Sequence, residues 1–429
     1  MNYTSTSGDF IKYFLPSFNK CKLKDGSKNK IKDIAQILYN DIYQANKEVI
    51  KKGCFTGKLK KLTTSAAGPS AAGTGTSAAG TSAAGTSAAA AAKKPEIYNS
   101  RFFPSYIKKY INDHEKYQLT YTCKIQSRII HIHFTLFTEE ALLHLDDTYL
   151  TCMKMIYIWL KIAASYSSKM CAKTLDIYIY QTPFTKELPK NATTTLGVEQ
   201  VNTAFTMSCA PEGEIVIFRN EEWFKVLLHE TFHAYGLDAG ANNTKQLNKY
   251  LSTLFPIDSG YDVTEAYAET WARIMNAAFC SFNALEKKED VATFLTYFDF
   301  NLQLERIFSL YQCNKVLGFM GLTYKNIHEG GEKNAYLRKN LYRENTHVFA
   351  YYILTSIFLN NYNDFLSWCN EHNTSFLQLN GSYYALNDLG KFIENKYNNP
   401  SMVKGLLNMN TLSNNKLLNT TRMSIIEFI

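Results

Sequence analysis

The sequence has no long uninterrupted apolar run and no closely spaced cysteine pair. Its richest apolar stretch, residues 153–164, is short and contains Lys154 and Lys161, so we expect a core helix there and no transmembrane segment. No charged segment followed by an apolar run opens the chain, and a secretory signal is therefore not expected. Nine scattered cysteines without a CxxC pair predict free thiols in a reducing compartment. These absences predict an intracellular, cytoplasmic protein.

The compositional extremes of disordered and fibrous chains are also missing. Of the 429 residues, 46% are hydrophobic, 14% aromatic and 20% charged, which suits a globular protein with a sizeable core. The formal charge is +8, and residues 1–60 carry twelve lysines against five acidic residues, so most of the excess lies there. This arm predicts either a solvated helix face or a contact with nucleic acid, anionic lipid or an acidic protein.

Composition shifts divide the chain into four predicted segments. Residues 1–60 form a basic helical N-terminal module, whose main helix spans about residues 30–51. Residues 61–94 are a flexible linker, because their repeated TSAAG unit has no large side chains to offset the entropy of ordering. Residues 95–240 form a sheet-containing upper subdomain. Residues 241–429 form a mainly helical lower subdomain, and the predicted fold class is therefore α+β.

Periodicity within the upper subdomain predicts five strands and two helices. Alternating apolar residues favour strands at residues 117–123, 129–137, 175–180, 201–207 and 214–218. A long helix is expected over residues 139–165. A second helix follows the last strand, with Asn220 as its cap and Glu221 and Glu222 in its first turn, where the helix dipole favours negative charge.

That second helix carries the motif HExxH, as His229, Glu230 and His233. The i, i+4 spacing places both imidazoles on one helical face, so that two nitrogens can bind one zinc ion. Glu230 lies a third of a turn away, where it can accept a proton from a water beside the metal. Gly236 is a good C-terminal breaker for this helix.

A downstream helix, about residues 264–279, carries Glu265 and Glu269 one turn apart, with small alanines that permit close helix approach. One carboxylate is predicted to bind the metal and the other to hold a ligand histidine through its free ring nitrogen. Two alternatives stay open. Asp238 or Asp262 could serve as the third ligand, or both histidines could be core residues beside a surface charge ladder.

HExxH followed by a glutamate on a second helix resembles the gluzincin branch of zinc metallopeptidases. The segment from Glu265 to Trp271 is similar to the corresponding pattern of anthrax lethal factor-like peptidase domains, and it departs from that pattern at Ala266. The gap from His233 to Glu265 lies between the thermolysin and lethal factor spacings. A metzincin site is excluded, because its third ligand would fall on Ala239, which has no metal-binding atom.

The resemblance implies a zincin-like fold, a zinc cofactor and a protein or peptide substrate. It also implies that residues 201–207 or 214–218 align the substrate as an edge strand. Gluzincin-like sites usually add a Tyr or His that stabilises the oxyanion, and the candidates here are Tyr261 and His347. The predicted function is that of a zinc-dependent peptidase.

Two other functions remain open at this stage. The chain could be a catalytically silent zinc-binding structural or interaction protein. The linker, the basic arm and the tyrosine-rich composition would suit assembly into a larger particle. Heavy use of Asn, Lys, Ile and Tyr suggests an AT-rich genome, such as that of a large DNA virus or an intracellular parasite. Alternatively, residues 1–60 could bind nucleic acid, which predicts salt-sensitive binding that depends on this arm.

Overall fold

The computed structural model describes residues 3–21, 28–53, 55–62, 91–240, 243–409 and 419–427. Within these residues six strands form one sheet: β1 Gly57–Lys61, β2 Tyr117–Ile125, β3 Arg128–Leu136, β4 Thr174–Thr182, β5 Ala204–Thr206 and β6 Glu212–Arg219. The order across the sheet is β1-β2-β3-β4-β6-β5. β3, β4 and β6 run parallel, and the other neighbours are antiparallel. The sheet is therefore mixed.

The helices of the first half are α1 Ser5–Cys21, α2 Lys28–Lys52, α3 Ser105–His114, α4 Leu150–Tyr166, α5 Val198–Val201 and α6 Trp223–Ala234. Those of the second half are α7 Lys245–Leu254, α8 Val263–Asn283, α9 Val291–Phe319, α10 Tyr324–His328, α11 Glu332–Leu341, α12 Thr355–Asn360, α13 Tyr362–His372, α14 Tyr383–Lys396 and α15 Pro400–Met409. Short 3-10 turns occupy Glu96–Asn99 and Glu140–His144, and π-helical turns occupy Leu145–Tyr149 and Phe349–Leu354. Together with the mixed sheet, these helices confirm the predicted α+β class.

Both faces of the sheet are buried at β4 and β6, and alternation along these two strands explains how. Ile177 and Ile215 face a large core that also receives α4 and α6. Tyr178 and Phe218 point to the opposite face, where α3 covers them with Ile107 and its neighbours. Because successive side chains of a strand point to opposite faces, one apolar run contributes to the hydrophobic cores on both sides of the sheet.

The predicted elements are largely found, with three local corrections. Four strands are confirmed, but the expected strand 201–207 is shortened to β5 after α5. The helix expected from residue 139 begins as an α-helix only at Leu150. Asn220 does not cap α6: Trp223 opens the helix, and Glu222 precedes it with φ +60°. The Glu222 carboxylate instead accepts hydrogen bonds from the backbone of Met423 and Ser424.

The helices α1 and α2, within residues 1–60, share the core of the remaining described chain. The apolar face of α2, including Ile34, Leu38 and Ile42, is buried in the large core, while Lys47 and Lys51 stay exposed. α2 packs against α4, α8 and α9, and β1 pairs with β2 at one edge of the sheet. The predicted boundary at residue 60 therefore marks a change in composition but does not divide the hydrophobic core. An amphipathic helix as long as α2 buries its apolar face against its neighbours.

The predicted linker, residues 61–94, lies mostly outside the described residues, which omit 63–90. Its two flanks lie side by side. Lys60 pairs with Gln118 across β1 and β2, and its Nζ donates to the Ala91 carbonyl at 2.8 Å. On the returning chain, the Lys93 amide donates to the Gln118 side chain at 3.1 Å.

Two cysteines contradict the prediction of free thiols. Cys171, just before β4, and Cys209, just after β5, form a disulfide with a Cα–Cα distance of 4.6 Å. Gly236 packs against this bridge with φ +64°, and a Cβ there would lie 2.9 Å from the Cys171 sulfur. Cys123, Cys152, Cys280, Cys313 and Cys369 are free and buried.

None of the described helices combines the length and apolarity that a bilayer crossing requires.

Candidate metal site

The site is built where α6 packs against α8, on the side of the sheet edge formed by β5. α6 is buried along almost its whole length, so its two histidines are held between the sheet and α8. The helix ends after Ala234, where Gly236 adopts its left-handed conformation. α8 begins after Asp262, whose carboxylate accepts from the Thr264 amide, and it places Glu265 in its first turn.

Three side-chain atoms converge from the two helices. The Nε2 atoms of His229 and His233 are 3.1 Å apart. Glu265 Oε2 lies 3.2 Å from His229 Nε2 and 3.4 Å from His233 Nε2. Atoms that bind one tetrahedral zinc at about 2.0–2.1 Å lie about 3.3 Å from each other. The triangle therefore has the size and the N, N, O composition that suit zinc. We call these three residues the histidine site.

Each imidazole also contacts a carboxylate through its second nitrogen. His233 Nδ1 lies 2.6 Å from Asp238 Oδ2, and His229 Nδ1 lies 3.2 Å from Glu269 Oε2. A carboxylate at Nδ1 favours the tautomer whose Nε2 lone pair is available to a metal. Glu269 thus lies within ion-pair distance of His229 Nδ1, although the two atoms are not aligned as a hydrogen bond. Asp238, considered above as a metal ligand, lies on the far side of His233 instead.

Electrostatics keep both α8 carboxylates ionised. Burial alone would raise the pKa of Glu265, but the neighbouring His233 and His229 bring that pKa well below its ordinary value. Burial likewise acts against ionisation of Glu269, and Lys225 more than offsets it, so the pKa of Glu269 is lowered. Lys225 Nζ donates to both oxygens of this carboxylate, at 2.9 and 3.0 Å.

Glu230 differs from the other carboxylates of the site. It is 7% exposed, yet within the described parts of the chain no hydrogen bond reaches its side-chain oxygens. Burial raises the pKa of Glu230 above its ordinary value. A buried carboxylate without a protein donor is costly unless a ligand or water completes it. Its oxygens are therefore available to a ligand in the adjoining cavity.

A cavity of about 160 Å³ opens above these residues, and Glu230, His229, His233 and Glu265 line it. All three residues of β5, one of the two edge strands of the sheet, also line it. β6 lies between β4 and β5. Of the two segments considered as substrate-aligning strands, only 201–207 therefore contains an edge strand.

The two predicted oxyanion residues are placed differently. His347 lines the cavity, with its ring 32% exposed and its Nε2 4.0 Å from Glu265 Oε1. Tyr261 does not reach the histidine site. Its ring packs on Phe349, and its hydroxyl donates to the carbonyl oxygens of Phe255 and Ile257. These bonds close the turn before α8, which is a structural role.

Tyr351 was not among the predicted residues, although it is closer to the histidine site than either candidate. Its hydroxyl donates to Glu265 Oε2 at 2.7 Å, and it lines the cavity. It lies in the π-helical turn Phe349–Leu354, and such turns are frequent at functional sites. Its spacing of one turn from His347 is the available sequence signal. The sequence signal for Asp238 was clearer, because the helix breaker Gly236 turns the chain back toward α6 just before it.

No family model matches the chain, and neither a curated protein nor a solved structure is significantly similar to it.

Proposed function

We propose that this protein is a zinc-dependent peptidase in which His229, His233 and Glu265 hold the metal. The observation that carries the proposal is the triangle of ligand atoms, whose three edges of 3.1–3.4 Å fit one tetrahedral zinc. When bound, zinc would act as a Lewis acid and lower the pKa of a coordinated water. The mixed sheet, the HExxH helix and the helical second half are also the arrangement expected of a zincin-like, gluzincin-type peptidase.

Glu230 is the proposed general base. Its buried carboxylate lines the cavity, and its oxygens accept no hydrogen bond from the described residues. It can therefore accept the proton of the attacking water. Its raised pKa suits a group that must afterwards deliver that proton to the leaving amine.

Substrate alignment is assigned to β5. β5 pairs with β6 along one edge, and all three of its residues line the cavity. An extended peptide can add to such an edge through backbone hydrogen bonds, which bring its carbonyl group next to Glu230.

Tyr351 is the proposed oxyanion donor, with His347 beside it at the cavity rim. The Tyr351 hydroxyl is already directed at the histidine site, where it donates to Glu265. Burial holds the pKa of Tyr351 well above its ordinary value, so the hydroxyl keeps its proton for donation.

The test compares the wild type with Glu230→Gln and His233→Ala in zinc content and in cleavage of a mixed peptide library. We expect one zinc per wild-type chain, zinc retained but cleavage lost in Glu230→Gln, and zinc lost in His233→Ala. Cleavage by Glu230→Gln at the wild-type rate would contradict the assigned base. Zinc binding without cleavage of any peptide by the wild type would favour a silent zinc-binding structural or interaction protein.

A further inference from the structure

A second group of buried charges lies at the opposite end of α6. It consists of Lys186, Glu222, Lys225 and Glu269, which we call the ion-pair cluster. Lys186 Nζ lies 2.5 Å from Glu222 Oε2, and Lys225 Nζ lies 3.8 Å from Glu222 Oε1. All four side chains are at most 2% exposed. Two cations and two anions balance, which is the condition for tolerating charge in a protein interior.

Glu269 links the ion-pair cluster to the histidine site. Glu269 Oε2 lies 3.0 Å from Lys225 Nζ and 3.2 Å from His229 Nδ1. Because Lys225 also binds the other oxygen of Glu269, the carboxylate cannot rotate without losing a hydrogen bond. Lys225 therefore fixes the atom against which the ring of His229 is oriented.

The C-terminal segment, residues 419–427, anchors the other end of the ion-pair cluster. The amides of Met423 and Ser424 donate to Glu222 Oε1 at 3.0 and 2.6 Å. The Thr421 carbonyl accepts from the Tyr352 hydroxyl at 2.5 Å, and Met423 Sδ lies 3.9 Å from Lys225 Nζ. Residues 421–426 are buried, so this anchor is part of the interior.

We propose that Lys225 is a positioning residue for the metal-binding ring of His229, acting through Glu269 and held in place by Glu222 and the C-terminal segment. The inference rests on the proposed zinc site, and it gives Lys225 a role beyond stability. A carboxylate that orients a metal-binding histidine typically changes metal affinity 10–100-fold when it is lost. Removing the group that fixes this carboxylate should reach the lower part of that range.

Lys186 provides the matched control, because it is equally buried and pairs with Glu222 but is absent from the contacts of Glu269. Zinc affinity is measured by competition with a chelator for the wild type, Lys225→Met and Lys186→Met, and urea unfolding of the metal-free proteins is followed in parallel. Both variants should lose stability. Only Lys225→Met should lose zinc affinity, by roughly tenfold or more, while Lys186→Met stays within about threefold of the wild type.

A histidine NMR spectrum of the metal-free protein supplies a second readout. The ring resonances of His229 should shift in Lys225→Met, and those of His372, which pairs with Asp388 outside the ion-pair cluster and the histidine site, should not. Lys225→Gln, which keeps a donor for Glu269, replaces the Met variant if that variant does not fold, and its affinity should be intermediate.

Three results would overturn the inference. These are unchanged zinc affinity in Lys225→Met or its Gln replacement, equal losses of affinity in the Lys225 and Lys186 variants, and a wild type that binds no zinc. A wild type that binds zinc but cleaves nothing would remove the proposed enzyme activity and leave the positioning role intact.

Discussion

The two ends of α6 carry buried charges that are arranged in opposite ways. At the N-terminal end, the charges of the ion-pair cluster face one another, and the backbone of residues 423–424 completes Glu222. At the C-terminal end, the ligand atoms of the histidine site face a common point beside a cavity. The charges of the first arrangement pair with one another, whereas the second is the site that we propose a zinc ion completes. Burial of charge alone therefore does not identify a functional site, and the direction of the side chains does.

The largest effect is expected at the ion-pair cluster, as a loss of stability. Glu222→Gln leaves the buried ammonium groups of Lys186 and Lys225 with one carboxylate fewer, so the free energy of unfolding should fall by about 3–5 kcal/mol in urea titrations. Glu48→Gln, which breaks an exposed pair with Lys161, should cost less than about 1 kcal/mol. An equal loss in the free energy of unfolding in the two variants would show that the ion-pair cluster does not stabilise the fold more than an exposed ion pair does.

This difference should depend on pH in a defined direction. Although burial would raise it, Lys186 and Lys225 hold the pKa of Glu222 well below its ordinary value of 4.5. A carboxylate with a lowered folded-state pKa stabilises the protein above its unfolded pKa, and that contribution is lost as the pH falls through the folded value. The gap between the wild type and Glu222→Gln should be full at pH 7 and should shrink below about pH 4.5.

At the open end, Tyr351→Phe should lower the turnover of a cleaved peptide by about 10²–10³-fold, because it removes a donor from the developing oxyanion. Zinc content should be retained. Tyr352→Phe is the neighbouring control, since its hydroxyl donates to the Thr421 carbonyl and not to the histidine site. Steady-state kinetics of both variants give the comparison, and equal turnover in the two would remove Tyr351 from the mechanism.

A smaller effect is expected behind His233. Asp238→Ala removes the carboxylate at Nδ1 of that ring, so zinc affinity should fall about 10–100-fold in a chelator competition. Asp388→Ala removes a similar carboxylate from His372, which is not among the residues that line the cavity of the histidine site, and should leave zinc affinity unchanged. A zinc affinity for Asp238→Ala equal to that of the control would show that His233 needs no orienting partner.

The smallest effect is expected for Tyr261, which belongs to neither the ion-pair cluster nor the histidine site. Tyr261→Phe removes the hydroxyl that bonds to Phe255 and Ile257, and thermal unfolding should show a loss of about 0.5–1.5 kcal/mol. Turnover should match that of the wild type. A hundredfold loss of turnover with unchanged stability would restore the catalytic role that the sequence suggested.

Local pattern predicted most of what depends on one helix or strand. The i, i+4 spacing of His229 and His233, and of Glu265 and Glu269, identified two facing helices, and alternation identified β2, β3, β4 and β6. Tyr351 could not be found in this way, because 85 residues separate it from Glu265 in the sequence and a π-helical turn sets its direction. Contacts of high sequence separation leave no periodic signal.

The packing of residues 1–60 and of residues 421–426 could not be predicted for the same reason, because it depends on contacts between residues far apart in sequence. Residues 1–60 were predicted as a separate module because the TSAAG repeat marks a change in composition, but composition says nothing about which surfaces meet. The packing of α2 on α4, α8 and α9 is decided by complementary apolar faces far apart in sequence. The burial of residues 421–426 and the Cys171–Cys209 bridge are likewise properties of the assembled fold.

The meeting of Lys60, Ala91 and Lys93 around Gln118 has a practical consequence for protein engineering. Since Lys60 contacts Ala91 and both flanks contact Gln118, a loop that joins the two flanks would not have to span a distance. The entropy of closing such a loop changes by only about 0.6 kcal/mol for each doubling of its length. An affinity tag or a small reporter domain inserted between residues 62 and 91, or a shortened repeat, should therefore be tolerated with little change in melting temperature.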